Sequence, residues 1–264
     1  MRAFKKYWAI YQTTLLNSLA YPGDLLGRSL LIIPFMWIFY QLWNVTFKAS
    51  GTDVINGMTL YSTMWYLMMA ETIELSRSNL ARTISDNVKD GSIAYILNKP
   101  YSFILYQFST SMGETVFRAL MNAVLGSAVI WWLVGPPPPL LGWLFAFIAI
   151  SGTWILNFCF TCLIGLSAFI VEDVNPFMWI YQKFIFILGG FLIPLDLYPG
   201  WLQKIAKALP FSALVYGPSK LFIAPSWTFL GEVLLSQTVW ILAIGTLLLI
   251  SYRQGVKYLT VNGG

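Results

Sequence analysis

Long apolar runs separated by short polar segments set the pattern of this chain. About 20 mostly apolar residues, at ~1.5 Å each, make a membrane-crossing helix. Stretches of that kind lie at 29–47, 59–80, 104–134, 141–170, 177–194 and 228–251. The third and fourth are longer than a bilayer needs, which implies a tilt or an extra-membrane turn. Residues 4–26 differ. Tyr7, Ile10, Tyr11, Leu15 and Leu19 recur at helical spacing among Lys5, Lys6, Gln12, Thr13, Asn17 and Ser18, the pattern of an amphipathic helix lying in the interface. Tyr21-Pro22-Gly23 breaks it, and Asp24 can cap a new turn. The expected fold is all-α: a single polytopic membrane domain over 1–264, with six transmembrane helices, an N-terminal interfacial helix (1–28) and a cytoplasmic tail (252–264).

Two polar or proline-rich stretches interrupt the pattern. The segment 77–103 contains Ser85, Asp86, Asn87, Lys89 and Asp90, then Gly91 and Asn98-Lys99-Pro100. Ser85 or Asp86 can start a short helix and Gly91 can end one. It reads either as a helix that docks on a cytoplasmic motor or as a solvated loop. The segment 193–227 holds Pro194, Pro199, Pro210, Pro218 and Pro225 with Trp201 and Trp227. It is too apolar for a free loop and predicts a re-entrant outer hairpin before the last helix, with 202–209 as one short helix. Residues 136–139 are four prolines, a stiff polyproline turn.

Composition turns this pattern into a membrane assignment. The chain is 58% hydrophobic and 10% charged, against about 25% charged in soluble domains. A water-soluble fold would expose apolar patches beyond what soluble monomers carry. The net charge of +5 reflects topology rather than nucleic-acid binding. Arg2, Lys5, Lys6, Arg28, Arg77, Arg82, Lys89, Lys99, Arg253 and Lys257 fall on one side; Lys48, Lys204, Lys207 and Lys220 fall on the other. The positive-inside bias puts both termini in the cytoplasm. No cleavable signal peptide is apparent.

The chemistry is defined first by absences. There is no histidine, no phosphate loop and no nucleophile elbow, so nucleotide chemistry, if transport is active, sits on another chain. Cys159 and Cys162 share a helix face inside a span, where small residues serve helix contacts; no metal site is expected. Charges inside spans are costly in hydrocarbon and face protein or water. These are Glu71 and Glu74 with Arg77 in the second span, Glu114 and Arg118 four apart in the third, and Lys183 in the fifth. They line or gate a path, or they only fasten the bundle. A contact from Lys183 to a glutamate of the second span is the expected cross-helix link.

Two segments carry a family resemblance. One runs from Ile84 through Gly91, Tyr95 and Leu97 to Lys99-Pro100. The other is Gly190-Phe191-Leu192-Ile193-Pro194, then Pro199-Gly200-Trp201-Leu202 and Leu209-Pro210. With the order of parts, the chain resembles the type 2 ABC exporter permeases, the family of daunorubicin-type, polysaccharide and teichoic-acid exporters. The resemblance implies that 86–97, with Ser85, Asp86, Lys89, Asp90, Gly91, Tyr95 and Leu97, docks on a cytoplasmic ABC ATPase. The inner turn with Glu172 and Asp173 is implied as a second contact, and Gly190, Pro194, Pro199, Trp201 and Pro210 shape the outer hairpin. It further implies two ATPase copies carrying ATP and magnesium, and a second permease, identical or paralogous. No cofactor is expected on this chain.

The resulting expectation is a non-catalytic permease subunit in a bacterial plasma (inner) membrane, surrounded by lipid. It would export a hydrophobic or amphipathic substrate (drug, lipid-like molecule, peptide or glycan) along a path lined by spans two and five. The competing readings are an ATP-independent carrier or channel, and a membrane-embedded lipid-modifying enzyme.

Overall fold

A computed structural model describes residues 2–20, 23, 27, 29–171 and 173–262. The expected break at Tyr21-Pro22, the cap at Asp24, and Arg28 and Glu172 lie outside these residues.

The chain is nearly all helix. α1 (Arg2–Ala20) is followed by α2 (Ile32–Ser50) and a small antiparallel hairpin, β1 (Val54–Ile55) and β2 (Met58–Thr59). Asn56 and Gly57 both have positive φ, 47° and 79°, which matches the primed two-residue turn that Asn-Gly favours. α3 (Leu60–Leu75) opens with a reciprocal capping box. Thr59 Oγ1 accepts from the Ser62 N–H at 3.1 Å, and Ser62 Oγ accepts from the Thr59 N–H at 2.9 Å. Then come α4 (Leu80–Lys89), α5 (Ser92–Leu97), α6 (Phe103–Val134), α7 (Leu140–Leu166), α8 (Asn175–Leu188), α9 (Gly200–Ala208), α10 (Pro210–Leu214), α11 (Tyr216–Ile223) and α12 (Trp227–Asn262).

Among the described residues, three helices are long and apolar enough to cross a bilayer: Phe103–Val134, Leu140–Phe169 and Trp227–Lys257. The stretches expected at 29–47, 59–80 and 177–194 form helices of 19, 16 and 14 residues. The third stretch is one unbroken helix of 32 residues, ~48 Å long at 1.5 Å per residue. The second stops at Leu75, and α4 begins after a break at 76–79. The fifth stops at Leu188, because Gly190 turns the chain at φ +71°.

α3 is the axis of the bundle. Every residue from Thr63 to Ile73 is buried, as expected of a helix apolar on all sides. α2 covers one flank with Ile32, Met36, Trp43 and Phe47. α3 runs antiparallel to α6, with Tyr61 bonded to Pro136 O at one end and Ser78 to Ser111 at the other. α7 and α12 run parallel: Gly152 meets Gln237, and Phe169 meets Gly255. The amide of Gln237 reaches Ala149 O at 2.9 Å and Ala213 O at 3.0 Å. Hydrogen bonds of this kind matter where lipid supplies no hydrophobic force between helices.

α1 turns its Tyr7–Tyr11–Thr14 side toward α6. Lys6 Nζ donates to Pro100 O at 2.8 Å, the Ser102 N–H donates to Tyr7 Oη at 2.9 Å, and a side chain at Gly113 would run into Thr14. Part of its apolar face is therefore spent on protein, while Phe4, Trp8, Leu16 and Leu19 stay exposed.

Candidate functional site

The polar segment after α3 is a helical elbow. The expectation that Ser85 or Asp86 starts a helix is not met: α4 begins at Leu80, and both lie in its last two turns. Leu80, Ala81, Ile84 and Ser85 are buried because α4 is seated on the C-terminal end of α7. A Cβ on Gly165 would stand 2.8 Å from Ile84 Cδ1 and 3.2 Å from Ala81 Cα, so any larger residue would push α4 away from α7. Gly91, at φ +77°, turns the chain between α4 and α5. Asp90 Oδ1 accepts from the Ser92 N–H at 2.8 Å. Hydrogen bonding from the Ser92 side chain and backbone holds the Asp90 carboxyl below its ordinary range.

The residues expected to couple thus divide. Asp86, Lys89, Asp90, Gly91 and Tyr95 are exposed, while Ser85 is buried and Leu97 is half-buried against the α4–α7 cluster. Lys99 lies 4.3 Å from the Tyr95 ring. Arg82 donates to Asn175 Oδ1 at 3.1 Å, and Asp173 Oδ1 accepts from the Asn175 backbone at 3.0 Å. The elbow is thereby tied to the start of α8. Between Val88-Lys89 and 168–171 is a cleft of about 410 Å³.

Directly beyond the elbow is a charged network joining four helices. Arg77, in the α3–α4 break, pairs with Glu74 at 2.8 Å and donates to Tyr181 Oη of α8 at 3.4 Å. Its guanidinium lies 5.2 Å from the Tyr181 ring. The Tyr181 hydroxyl donates to Asn157 Oδ1 of α7 at 2.9 Å. Arg118 of α6 donates to Arg77 O at 3.1 Å and pairs with Glu114 at 3.4 Å. Glu71 is buried one turn before Glu74.

Lys183 is not the expected cross-helix link. Its ammonium lies over Trp179 and Phe186 of its own helix, and Arg77–Tyr181 joins α3 to α8 instead. Tyr181 lies on the face of α8 turned into the bundle, and Lys183, two residues on, is exposed.

At the other end of α8 the chain is pinned again. Gly190 O accepts from the Tyr66 hydroxyl at 2.7 Å, and a Cβ there would stand 2.9 Å from that oxygen. Pro194 O and Pro199 O accept the first bonds of the turns that follow. Asp196 pairs with Lys220 of α11 at 3.0 Å and accepts from Tyr216 Oη at 3.2 Å. Pro210 opens α10 and is buried; Trp201 is exposed. The expected short helix at 202–209 is α9. α11 carries Tyr216, Gly217, Pro218, Ser219, Leu221 and Phe222 into the interior.

Sequence reasoning missed Tyr181, Asn157 and the Asp196–Lys220 pair. Tyr and Asn in an apolar run carry no spacing signal, and Asp196 and Lys220 are 24 residues apart. Cys159 and Cys162 are both free and buried.

No curated protein matches the chain. The family model described as "ABC-2 family transporter protein" matches residues 31–263, which includes both the elbow and the pinned segment after α8 and leaves α1 outside. The chain therefore belongs to the ABC-2 transporter family, as a type 2 ABC permease.

Proposed function

We propose that this chain is the permease subunit of an ATP-driven exporter of hydrophobic or amphipathic molecules. Two copies, or this chain and a paralogue, enclose the path in a bacterial plasma membrane. Two cytoplasmic ATPase subunits bind ATP and magnesium. α2, α3, α6, α7, α8 and α12 are the six spans, both termini are cytoplasmic, α1 lies at the inner interface, and 193–227 re-enters from outside. α8 lines the path; α3, expected to line it as well, is buried from Thr63 to Ile73 and stands behind it with Glu71, Glu74, Glu114 and Arg118.

The observation that carries this is the position of Arg77. It occupies the joint between α3 and α4, so a push on the exposed Asp86, Lys89 and Asp90 face reaches it within three turns of helix. From there Tyr181 and Asn157 pass the displacement to α8 and α7. Arg82–Asn175 gives α8 a second tie to the same elbow. The elbow is keyed into α7 at Gly165 and so moves as a lever.

The test is reconstitution. The chain is purified in mild detergent with the proteins that accompany it, and ATPase activity and vesicle transport are measured. Reversing the charges of Asp86, Lys89 and Asp90 is expected to leave basal ATP hydrolysis and to abolish its coupling to transport. Normal transport by that triple variant would refute the assignment.

A further inference from the structure

α8 buries only two side chains, Tyr181 and Ile185. Its other side exposes Trp179, Ile180, Phe184 and Ile187, with Lys183 exposed among them. Among the described residues no carboxylate pairs with Lys183. Its Nζ lies 5.3 Å from the Trp179 ring and 5.6 Å from the Phe186 ring.

Lys183 is ~12 Å along α8 at 1.5 Å per residue. An ammonium at that depth is costly against hydrocarbon and faces water or protein. A second copy of this chain pairing α8 on α8 would bring no carboxylate, because residues 175–188 contain neither Asp nor Glu, and the one charge it would add is another Lys183. Ring faces hold the ammonium without neutralising it, so the charge stays available. On the same reading of α8 as a span of an export permease, we infer that Lys183, flanked by Trp179 and Phe186, recognises the anionic head of an amphipathic substrate, whose apolar part lies along Ile180, Phe184 and Ile187. The substrate class is thereby narrowed from hydrophobic molecules in general to amphipathic anions.

The experiment uses the full chain in phosphatidylcholine vesicles with two photoreactive probes, a diazirine-bearing palmitate and the matching fatty alcohol. Labelled peptides are mapped by mass spectrometry. The palmitate is expected to label the α8 peptide over the alcohol by on the order of tenfold, the ratio given by one charge-assisted contact. Lys183→Gln is expected to remove the preference and Lys183→Arg to keep it, with both variants melting at the wild-type temperature. Equal labelling by the two probes, or a preference that survives Lys183→Gln, overturns the inference. Adding phosphatidylglycerol separates a path from a lipid-facing surface: the preference persists in a path, and competition that erases it overturns the placement. ATPase co-purification is scored on the same preparation. Its absence with a retained preference would remove the exporter function and leave the site standing.

Discussion

Arg77 reaches the Tyr181 hydroxyl at 3.4 Å across 104 residues of sequence, and the same tyrosine donates to Asn157 at 2.9 Å. Arg77 and Tyr181 together thus link α3, α7 and α8 at the joint where the bundle meets the elbow. Arg77→Ala leaves the Glu74 carboxylate partnerless in the interior. The expected cost is about 3 kcal/mol of stability, with transport lost. Tyr181→Phe keeps the ring under the guanidinium and removes only the hydroxyl, for about 1 kcal/mol. Melting of the single and double variants in detergent gives the coupling energy. Strict additivity would show that the two residues do not form a unit.

Gly190 stands at φ +71° with the Tyr66 hydroxyl against it. Gly190→Ala is expected to cost about 1–2 kcal/mol from the left-handed backbone alone, plus the displaced hydrogen bond. In a Tyr66→Phe background the steric part should shrink, because the oxygen is gone. Equal penalties in both backgrounds would argue against the contact.

Asp196 and Lys220 form an ion pair about one-fifth exposed on each side. A single change, Asp196→Lys or Lys220→Asp, is expected to loosen the segment between α8 and α11 by up to about 1 kcal/mol. The swap Asp196→Lys with Lys220→Asp should recover most of the loss. Hydrogen exchange of residues 190–200 reads it, and absence of recovery would show that the pair is not the fastening.

Gly165 admits Ile84 to the surface of α7. Gly165→Leu should unseat α4, and the expected readout is an ATPase that still hydrolyses ATP but no longer responds to substrate. The more conservative Gly165→Ala should show a partial version of the same defect. Wild-type coupling in Gly165→Leu would mean that the α4 seat carries no force.

The α4–α5 turn should weaken in acid. Asp90 is harder to protonate in the folded turn than in the open chain, because Ser92 donates to its carboxylate. A lowered folded pKa contributes stability that is full above the ordinary carboxylate range and is lost as pH falls through the lowered value. Exchange protection of residues 90–97 should fall on that acid limb in the wild type and be flat with pH in Asp90→Asn. An identical pH profile in the two proteins would remove Asp90 from the turn.

Much of this architecture is written in the order of the residues, for local reasons. Apolar run length locates the helices, since a segment without water must satisfy its own backbone. Gly91 marks a turn because φ is positive there. Glu74 with Arg77, and Glu114 with Arg118, pair at helical spacing and were legible on their own. Tertiary structure alone decided which groups meet across helices. Residue order points to Lys183 as the link from the fifth span to the second, and gives Arg77 only its local partner Glu74; the link runs through Arg77 and Tyr181 instead. The rotation of α8 about its axis decided this, turning Tyr181 inward and Lys183 outward. That rotation is set by packing against α7, α9 and α10 together, a sum over contacts that no local spacing encodes.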